Sequence, residues 1–296
     1  MNEELIEKAQ QAYDNGHYDQ AVALMEEAYL KNKNFHNNYY LFKFLKKDQK
    51  WVQAVTVANE YLNEYIQNDD YFYQYFDCRL HAGDVLECFE LLNQLDPYLN
   101  STERQILAQK VKLYPSYLSK EQQELKQNVL RKLKYLGGFS IHEQREILNN
   151  VNLLNPQELF LNCRSVFLDQ DVPCVVRMSL LNTLRKASNN QVKVLNLFNE
   201  VIQVDLPKLA PIEELPVYVK IKQQIFDSKK IAEPLKFRMF SEAKMKLFVV
   251  YPEIEQIDQN DLIEIALLQT ENLSPKGTIL NQQINREIDK INDFKI

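Results

Sequence analysis

The chain has 296 residues, only 5 glycines and 10 prolines, and a formal net charge of −6. This acidic balance excludes a general nucleic-acid-binding surface, which needs clustered Lys and Arg. No segment approaches the roughly 20 apolar residues that cross a bilayer, and the amino terminus, MNEELIEKAQ, is acidic where a signal peptide is basic. The composition therefore predicts a mostly helical, cytoplasmic protein with neither nucleic acid nor membrane as a partner.

The first 98 residues contain one pattern three times. Its turn, aromatic and small-residue columns recur 33 and 34 residues apart, as Gly16, Tyr18 and Ala21, then Gln49, Trp51 and Ala54, then Gly83, Val85 and Cys88. A period of about 34 residues is typical of stacked helical hairpins, because glycine permits a tight turn and alanine lets two helices approach closely. With Ala9 and Ala28, these columns resemble tetratricopeptide (TPR) repeats. The resemblance implies an α–α superhelix with a concave face that binds other polypeptides.

Several positions depart from the TPR pattern, among them Lys33, Ile66 and Asn100, where the usual closing proline is absent. Phe42 and Phe76 replace the small residue of the first helix, and Tyr61 and Leu95 replace the second alanine of the second helix. Larger side chains at these close contacts predict splayed helices and a curvature that differs from a regular array.

The TPR resemblance implies that the first helix of each hairpin lines the concave face. The candidate partner-binding residues on that face are Tyr39, Tyr40, Lys43, Lys47, Tyr73, Gln74, Asp77 and His81, continued in the first hairpin by Ile6, Gln10 and Tyr13. Tyrosines offer large contact areas and lysines offer partners for carboxylates, so this face suits an extended peptide or a helix. The alternative is that several of the tyrosines pack between repeats.

We expect Phe72, Tyr75 and Phe76 to pack in the core, because they share one face of a helix. One TPR subclass grips the carboxylates of chaperone tails with lysines and asparagines. We do not expect that clamp here, because the matching positions hold Ile6, Gln10, Tyr40, Asp70 and Gln74.

Helical periodicity continues beyond the repeats, in segments 101–114, 119–136, 140–153, 156–168 and 173–187. The predicted N-caps are Ser101, Ser119, Ser140 and Asn155, and Gly137-Gly138 is a predicted stop. The stretch from Leu168 to Leu184 resembles half of a HEAT repeat, which implies that Arg177 pairs with Asp169 or Asp171.

The last hundred residues mix strands and helices. Two β-rich runs within 191–205, separated by Phe198-Asn199-Glu200, predict a hairpin, and Pro207, Pro211 and Pro216 predict an extended connector. Helices are predicted at 212–228, 232–250, 259–269 and 276–293, the second of them strongly apolar.

Motifs for chemistry are missing from the sequence. The cysteines lack C-x-x-C spacing and are expected to be reduced and buried; they are Cys78, Cys88, Cys163 and Cys174. Cys78-x-x-His81 is half of a metal-ligand pattern without its second half, and Glu146 stands where a zinc-protease helix beginning at His142 needs its second histidine. Without a phosphate loop or nucleophile motif either, we expect no catalytic residues, no metal site, no cofactor and no enzymatic activity.

The predicted organisation is three TPR-like repeats at 1–98, further helical hairpins with a HEAT-like unit at 99–188, and a β-hairpin with C-terminal helices at 189–296. The whole chain resembles uncharacterised bacterial TPR-containing proteins, which brings no activity. The expected function is a scaffold or adaptor that holds a peptide or helix of another protein. The alternatives are a structural assembly subunit and a peptide receptor related to quorum-sensing regulators, without their DNA-binding head because the chain opens in the first repeat. The partner's identity and the oligomeric state stay open.

Overall fold

The computed structural model describes residues 2–186, 188 and 190–292. These residues form sixteen α-helices and one antiparallel two-stranded sheet, so the predicted mostly-α class is confirmed. The chain divides into two compact units, Met1–Leu125 and Lys126–Ile296. The three-part division at residues 98 and 188 rests on sequence columns and stays a prediction. No helix in the described part of the chain is both long and apolar enough to cross a membrane.

The first unit is built from short helices. They are α1 (Asn2–Asp14), α2 (Tyr18–Lys31), α3 (Phe35–Lys47), α4 (Trp51–Asn59), α5 (Leu62–Ile66), α6 (Asp69–Ala82), α7 (Val85–Leu95) and α8 (Ser101–Lys112). From α1 to α4 each helix packs on the next, α4 packs on α6, and α6 is followed by α7 and α8 in the same way. The contacts that hold this unit together are therefore mostly between sequence neighbours.

One turn geometry occurs three times in this unit. Gly16, Gln49 and Gly83 each have a left-handed backbone, with φ of 80°, 59° and 86°. In every case the N–H of that residue donates to the carbonyl three residues earlier, and the next N–H donates to the carbonyl five residues before it. This pairing closes the preceding helix at a residue with a left-handed backbone, and the next helix begins two residues later. The three sequence copies therefore share one local turn.

The small-residue column is buried in all three copies. Ala21, Ala54 and Cys88 are each the fourth residue of their helix, and none exposes surface to solvent. Helices approach closely at such positions because the side chains are small.

The departures from the repeat pattern coincide with interrupted helices. Where the second alanine is present, at Ala28, α2 continues to Lys31. Where Tyr61 replaces it, α4 stops at Asn59 and α5 begins at Leu62. In the third copy α7 ends at Leu95 itself. The large side chains therefore shorten or break the second helix of the hairpin. Phe72, Tyr75 and Phe76 are buried, as their spacing predicted.

The second unit begins within α9 (Lys120–Leu133). The helices that follow are α10 (Ile141–Asn149), α11 (Pro156–Cys163), α12 (Cys174–Arg185), α13 (Pro216–Phe226), α14 (Glu233–Val250), α15 (Gln259–Ala266) and α16 (Pro275–Asn292). Helix α14 packs against α12, α13, α15 and α16, so it is the central element of the unit.

Several predicted helices are too long, because single 3-10 turns replace their ends. Such turns lie along the described chain at Asp96–Tyr98, Tyr114–Ser116, Leu136–Gly138, Val151–Leu153, Val166–Leu168, Leu206–Lys208, Ile212–Glu214, Ile254–Gln256 and Thr270–Asn272. The predicted extended connector is also wrong, since two of these turns occupy it and Pro216 starts α13. The predicted helix ends at residues 187 and 293 lie outside the described residues.

The predicted helix caps are confirmed at three positions and corrected at the fourth. Before α9, the Ser119 hydroxyl accepts from the N–H of Gln122, and the N–H of Ser119 donates to the Gln122 side chain. Ser140 and Asn155 each form a capping box with the glutamate three residues on. Ser101 is the first residue of α8, and Asn100 is the cap, with Glu103 completing the box. Asn100 is the N-cap because its side-chain oxygen accepts from the N–H groups of Thr102 and Glu103.

The predicted β-hairpin is confirmed. Strand β1 (Gln191–Leu195) pairs antiparallel with β2 (Val201–Asp205), with Val194 opposite Ile202 at its centre. The side-chain carbonyl of Asn196 accepts from the N–H groups of Phe198 and Glu200 and so organises the loop. Strand β1 packs on the 3-10 turn Val166–Leu168, which gives this short sheet the support that it lacks alone.

The HEAT-like contact differs from its prediction. Arg177 is buried, but its guanidinium donates to the backbone carbonyls of Asp169 and Val172 and not to an aspartate side chain. The carboxylate of Asp169 accepts instead from the N–H of Asp171. Arg177 therefore ties the loop to α12 through the main chain.

Candidate functional site

The first helices of successive hairpins contact one another in a row. The rings of Tyr13 on α1 and Phe44 on α3 stack with centroids 4.5 Å apart. The Gln74 side chain on α6 donates to the hydroxyl of Tyr39 on α3 at 3.1 Å. This arrangement brings one face of α1, α3 and α6 onto the same side of the unit.

An open cleft of about 480 Å³ lies on that side. Its lining comes from α1, α3, α6, the start of α4 and the turn before it: Tyr13, Lys43, Lys46, Lys47, Gln49, Trp51, Gln74, Asp77, Cys78 and His81. The volume is in the range of natural ligand pockets, although the cleft is open along its length.

Three lysines form one wall of the cleft. Lys43, Lys46 and Lys47 follow one face of α3 at helical spacing. Lys43 lies over the rings of Tyr39 and Tyr40, with its Nζ atom 5.9 Å and 5.3 Å from their centroids. The ammonium of Lys46 donates to the Gln74 side chain at 2.8 Å, and burial lowers the pKa of Lys46.

These lysines differ from the others of the repeats in their partners. The lysines at 8, 31, 33 and 50 each form an ion pair with a carboxylate. Among the described residues, no carboxylate pairs with Lys43, Lys46 or Lys47. Asp77, the acidic side chain in the lining, is held instead by Lys110 of α8 at 2.6 Å. The cleft wall therefore carries three lysines that form no ion pair with a described carboxylate of the unit.

Two stacked aromatic side chains, which we call the Trp51–His81 step, lie in the lining of the cleft. The rings of Trp51 and His81 stack at 4.3 Å with 15° between their planes, and Tyr117 meets His81 edge-on at 4.9 Å. Burial lowers the pKa of His81, so its imidazole is neutral near pH 7. A second open cleft of about 630 Å³ begins at the same step and shares Gln49, Trp51 and His81 with the first.

The sequence-predicted residues fall into two groups. Those in the lining of the first cleft are Tyr13, Lys43, Lys47, Gln74, Asp77 and His81. Those that lie outside that lining are Ile6, Gln10, Tyr39, Tyr40 and Tyr73. Tyr39 packs instead among aromatic rings, 4.5 Å from Tyr71 and 6.3 Å from Phe35. Tyr40 lies 4.8 Å from the ring of His36.

Sequence reasoning missed four residues of the lining. Lys46, Gln49, Trp51 and Cys78 all contribute to it. The spacing of Lys46 from Lys43 and Lys47 was a readable signal, since positions three and four apart share a helix face. Trp51 belongs to the aromatic column of the repeat, and nothing in the sequence shows that its ring also lines a cleft.

The cysteines are packed rather than reactive. All four are buried, and burial raises the pKa of the Cys78 thiol to about 12 and that of Cys174 to about 11. Cys78 donates to the carbonyl of Trp51, and His81 is stacked on the Trp51 ring, so each half of the sequence pair has another partner. His142 lies 3.3 Å from Glu146 on an exposed helix face. No three described His, Cys, Asp or Glu side chains are grouped so that they could hold a metal ion.

Comparison with known proteins identifies no relative. No protein-family model, no curated protein and no solved structure matches the chain.

Proposed function

We propose that this protein is a non-enzymatic adaptor whose first unit is a TPR-like array that binds a peptide or helix of another protein. The partner lies in the cleft along α3 and α6. The observation that carries the proposal is the set of three cleft lysines without a carboxylate partner, in a unit where neighbouring lysines have one.

The charge of the cleft selects the chemistry of the partner. A lysine that is half-buried without a counter-ion costs free energy, which a carboxylate of the partner would recover. The partner segment therefore carries at least two acidic residues along the Lys43–Lys47 wall. An apolar or aromatic side chain between them packs on the Trp51–His81 step.

Affinity purification from the native host tests the proposal. Wild-type protein is compared with Lys43→Glu/Lys47→Glu, which reverses the cleft charge, and with Lys112→Glu/Lys120→Glu, which reverses two exposed lysines outside the lining. Quantitative mass spectrometry should show a partner that the first variant loses and the second keeps. Recovery of the same proteins by all three forms would show that the cleft does not bind the partner.

Free peptides separate the adaptor from the alternative of a peptide receptor. An adaptor holds a segment within a larger protein, so short acidic peptides should bind in the micromolar range or weaker. Nanomolar binding of one free oligopeptide would favour the receptor instead.

A further inference from the structure

Helix α14 presents two large apolar side chains to solvent at the end where it meets α13. Phe237 is 72% exposed, and Leu235, two residues earlier and therefore on another side of the helix, is 51% exposed. Phe237 touches the half-buried Phe226 of α13 edge-on, with centroids 5.3 Å apart. The side chain of Phe237 therefore has one ring contact and an otherwise open surface.

Basic residues surround this apolar end. Lys222 lies one helical turn before Phe226, Lys229 and Lys230 lie in the loop between the helices, and Arg238 follows Phe237; all four are exposed. Among the described residues of this unit, no carboxylate pairs with the three lysines, whereas Arg238 pairs with Glu242 at 3.1 Å. The acidic residues of the same end are Asp227, Glu233 and Glu242. Set against the four exposed basic residues and Lys236, they leave a local net charge of +2 (5 − 3) in a chain whose formal charge is −6.

The end of the helix pair is held in place by a buried lysine. Lys236 donates its ammonium to the last carbonyl of α13, that of Phe226, at 2.7 Å, and pairs with Glu233. This contact joins the two helices where the exposed residues lie, so their arrangement exists before any ligand binds.

We propose that this end of α13 and α14 is a docking surface for anionic lipid headgroups. Phe237 enters the interface, and Lys222, Lys229, Lys230 and Arg238 contact the phosphates. Such a pairing of Phe or Leu with Lys and Arg is the composition that binds membrane interfaces. A lipid interface accepts an exposed Phe without a shaped pocket, whereas a protein partner must supply one. The sequence-based exclusion of a membrane rested on spanning segments, and a peripheral contact needs none.

Sedimentation of the full chain with vesicles tests the proposal. The protein should bind vesicles that mix phosphatidylcholine with phosphatidylglycerol, should not bind phosphatidylcholine alone, and should be released by high salt. Lys229→Glu/Lys230→Glu should weaken binding by roughly thirtyfold or more, and Phe237→Ser by about tenfold.

Matched variants elsewhere in the same unit provide the controls. Leu161→Ser removes another exposed apolar side chain, and Lys134→Glu/Lys193→Glu reverses two exposed lysines on other elements. Both should bind like wild type, and all variants should melt at the wild-type temperature, because every change is on the surface. Absence of vesicle binding, equal binding to neutral vesicles, or equal loss in the controls would overturn the proposal. So would capture of soluble polyglutamate in place of vesicles, which would assign the lysines to an acidic protein.

Discussion

Gln49 occupies a backbone conformation that the two equivalent turns give to glycine. Its φ of 59° lies in the left-handed region, where a side chain costs about 1–2 kcal/mol. Gly16 and Gly83 meet the same hydrogen-bond pattern without that cost.

Gln49→Gly should therefore stabilise the first unit by about 0.5–1 kcal/mol, the strain released less the extra entropy of an unfolded glycine. Urea denaturation measures the change. Gln53→Gly, at an exposed position within α4, is the control and should destabilise by about 1 kcal/mol. Loss of stability at both positions would show that Gln49 makes contacts worth more than its strain.

His81 gives the stability of the protein a dependence on pH. Burial holds its folded-state pKa below the ordinary value of 6.5, so the unfolded chain takes up the proton first as the pH falls. The stabilisation is fully present above pH 6.5 and is lost as the pH falls through the folded-state pKa.

Thermal melting across this range should show that loss in wild type, and His81→Gln should flatten the profile between pH 7 and pH 5. His17→Gln, at an exposed histidine in the turn between α1 and α2, is the matched control variant. A profile unaffected by His81→Gln would assign the pH dependence to other groups.

A buried hydrogen-bond network centred on Asn38 joins helices α2, α3, α4 and α5. The Asn38 side chain on α3 accepts from the hydroxyl of Tyr65 at 3.0 Å and donates to the carbonyl of Val57 at 2.8 Å, where α4 ends. It also donates to the hydroxyl of Tyr29, whose own proton goes to Glu60. Burial raises the pKa of Tyr29 to about 12.

Asn38→Ala leaves the Tyr65 hydroxyl and the Val57 carbonyl without this partner and should cost about 2–4 kcal/mol. Chemical denaturation gives the value. Asn63→Ala on the exposed face of α5 should cost less than about 0.5 kcal/mol. Similar costs at both sites would mean that water replaces the network.

The repeated elements were predictable because each signal is local. A glycine in a tight turn and a small residue at the fourth helical position act within a few residues, so Ala21, Ala54 and Cys88 could be aligned by sequence alone. The sequence marks Tyr61 as a departure from the repeat, but it does not show that the helix breaks there. The end of α4 depends on a hydrogen bond from Asn38, which lies on another helix. The apolar composition of α14 likewise does not show which of its side chains stay exposed, because the exposure of Phe237 depends on where α13 packs.

The cleft was predictable in part. The TPR resemblance put Lys43, Lys47, Gln74, Asp77 and His81 on one face, and they line the same space. Sequence did not reveal that Lys110 neutralises Asp77, because the two residues lie on different helices and outside the repeat columns. The net charge of the cleft, on which the proposed partner depends, is therefore a property of the assembled unit.

For the molecule as a whole, the single tryptophan lies in the cleft and reports on its occupancy. A glutamate-rich peptide that contains an aromatic residue should change the emission of Trp51 in a saturable way, and a lysine-rich peptide of equal length should not. Because the cleft lysines act through charge, the affinity should fall as salt rises. Equal responses to the two peptides would contradict the charge selection.

Site-specific photo-crosslinking in the native host tests the central proposal most directly. A photoreactive amino acid replaces either Gln49, in the cleft lining, or Val52, which is 65% exposed on the next helix and outside the lining. Position 49 should capture a partner through an acidic segment, position 52 should not, and Lys43→Glu/Lys47→Glu should abolish the capture. Capture from position 52 alone, or capture from position 49 that survives the charge reversal, would contradict it.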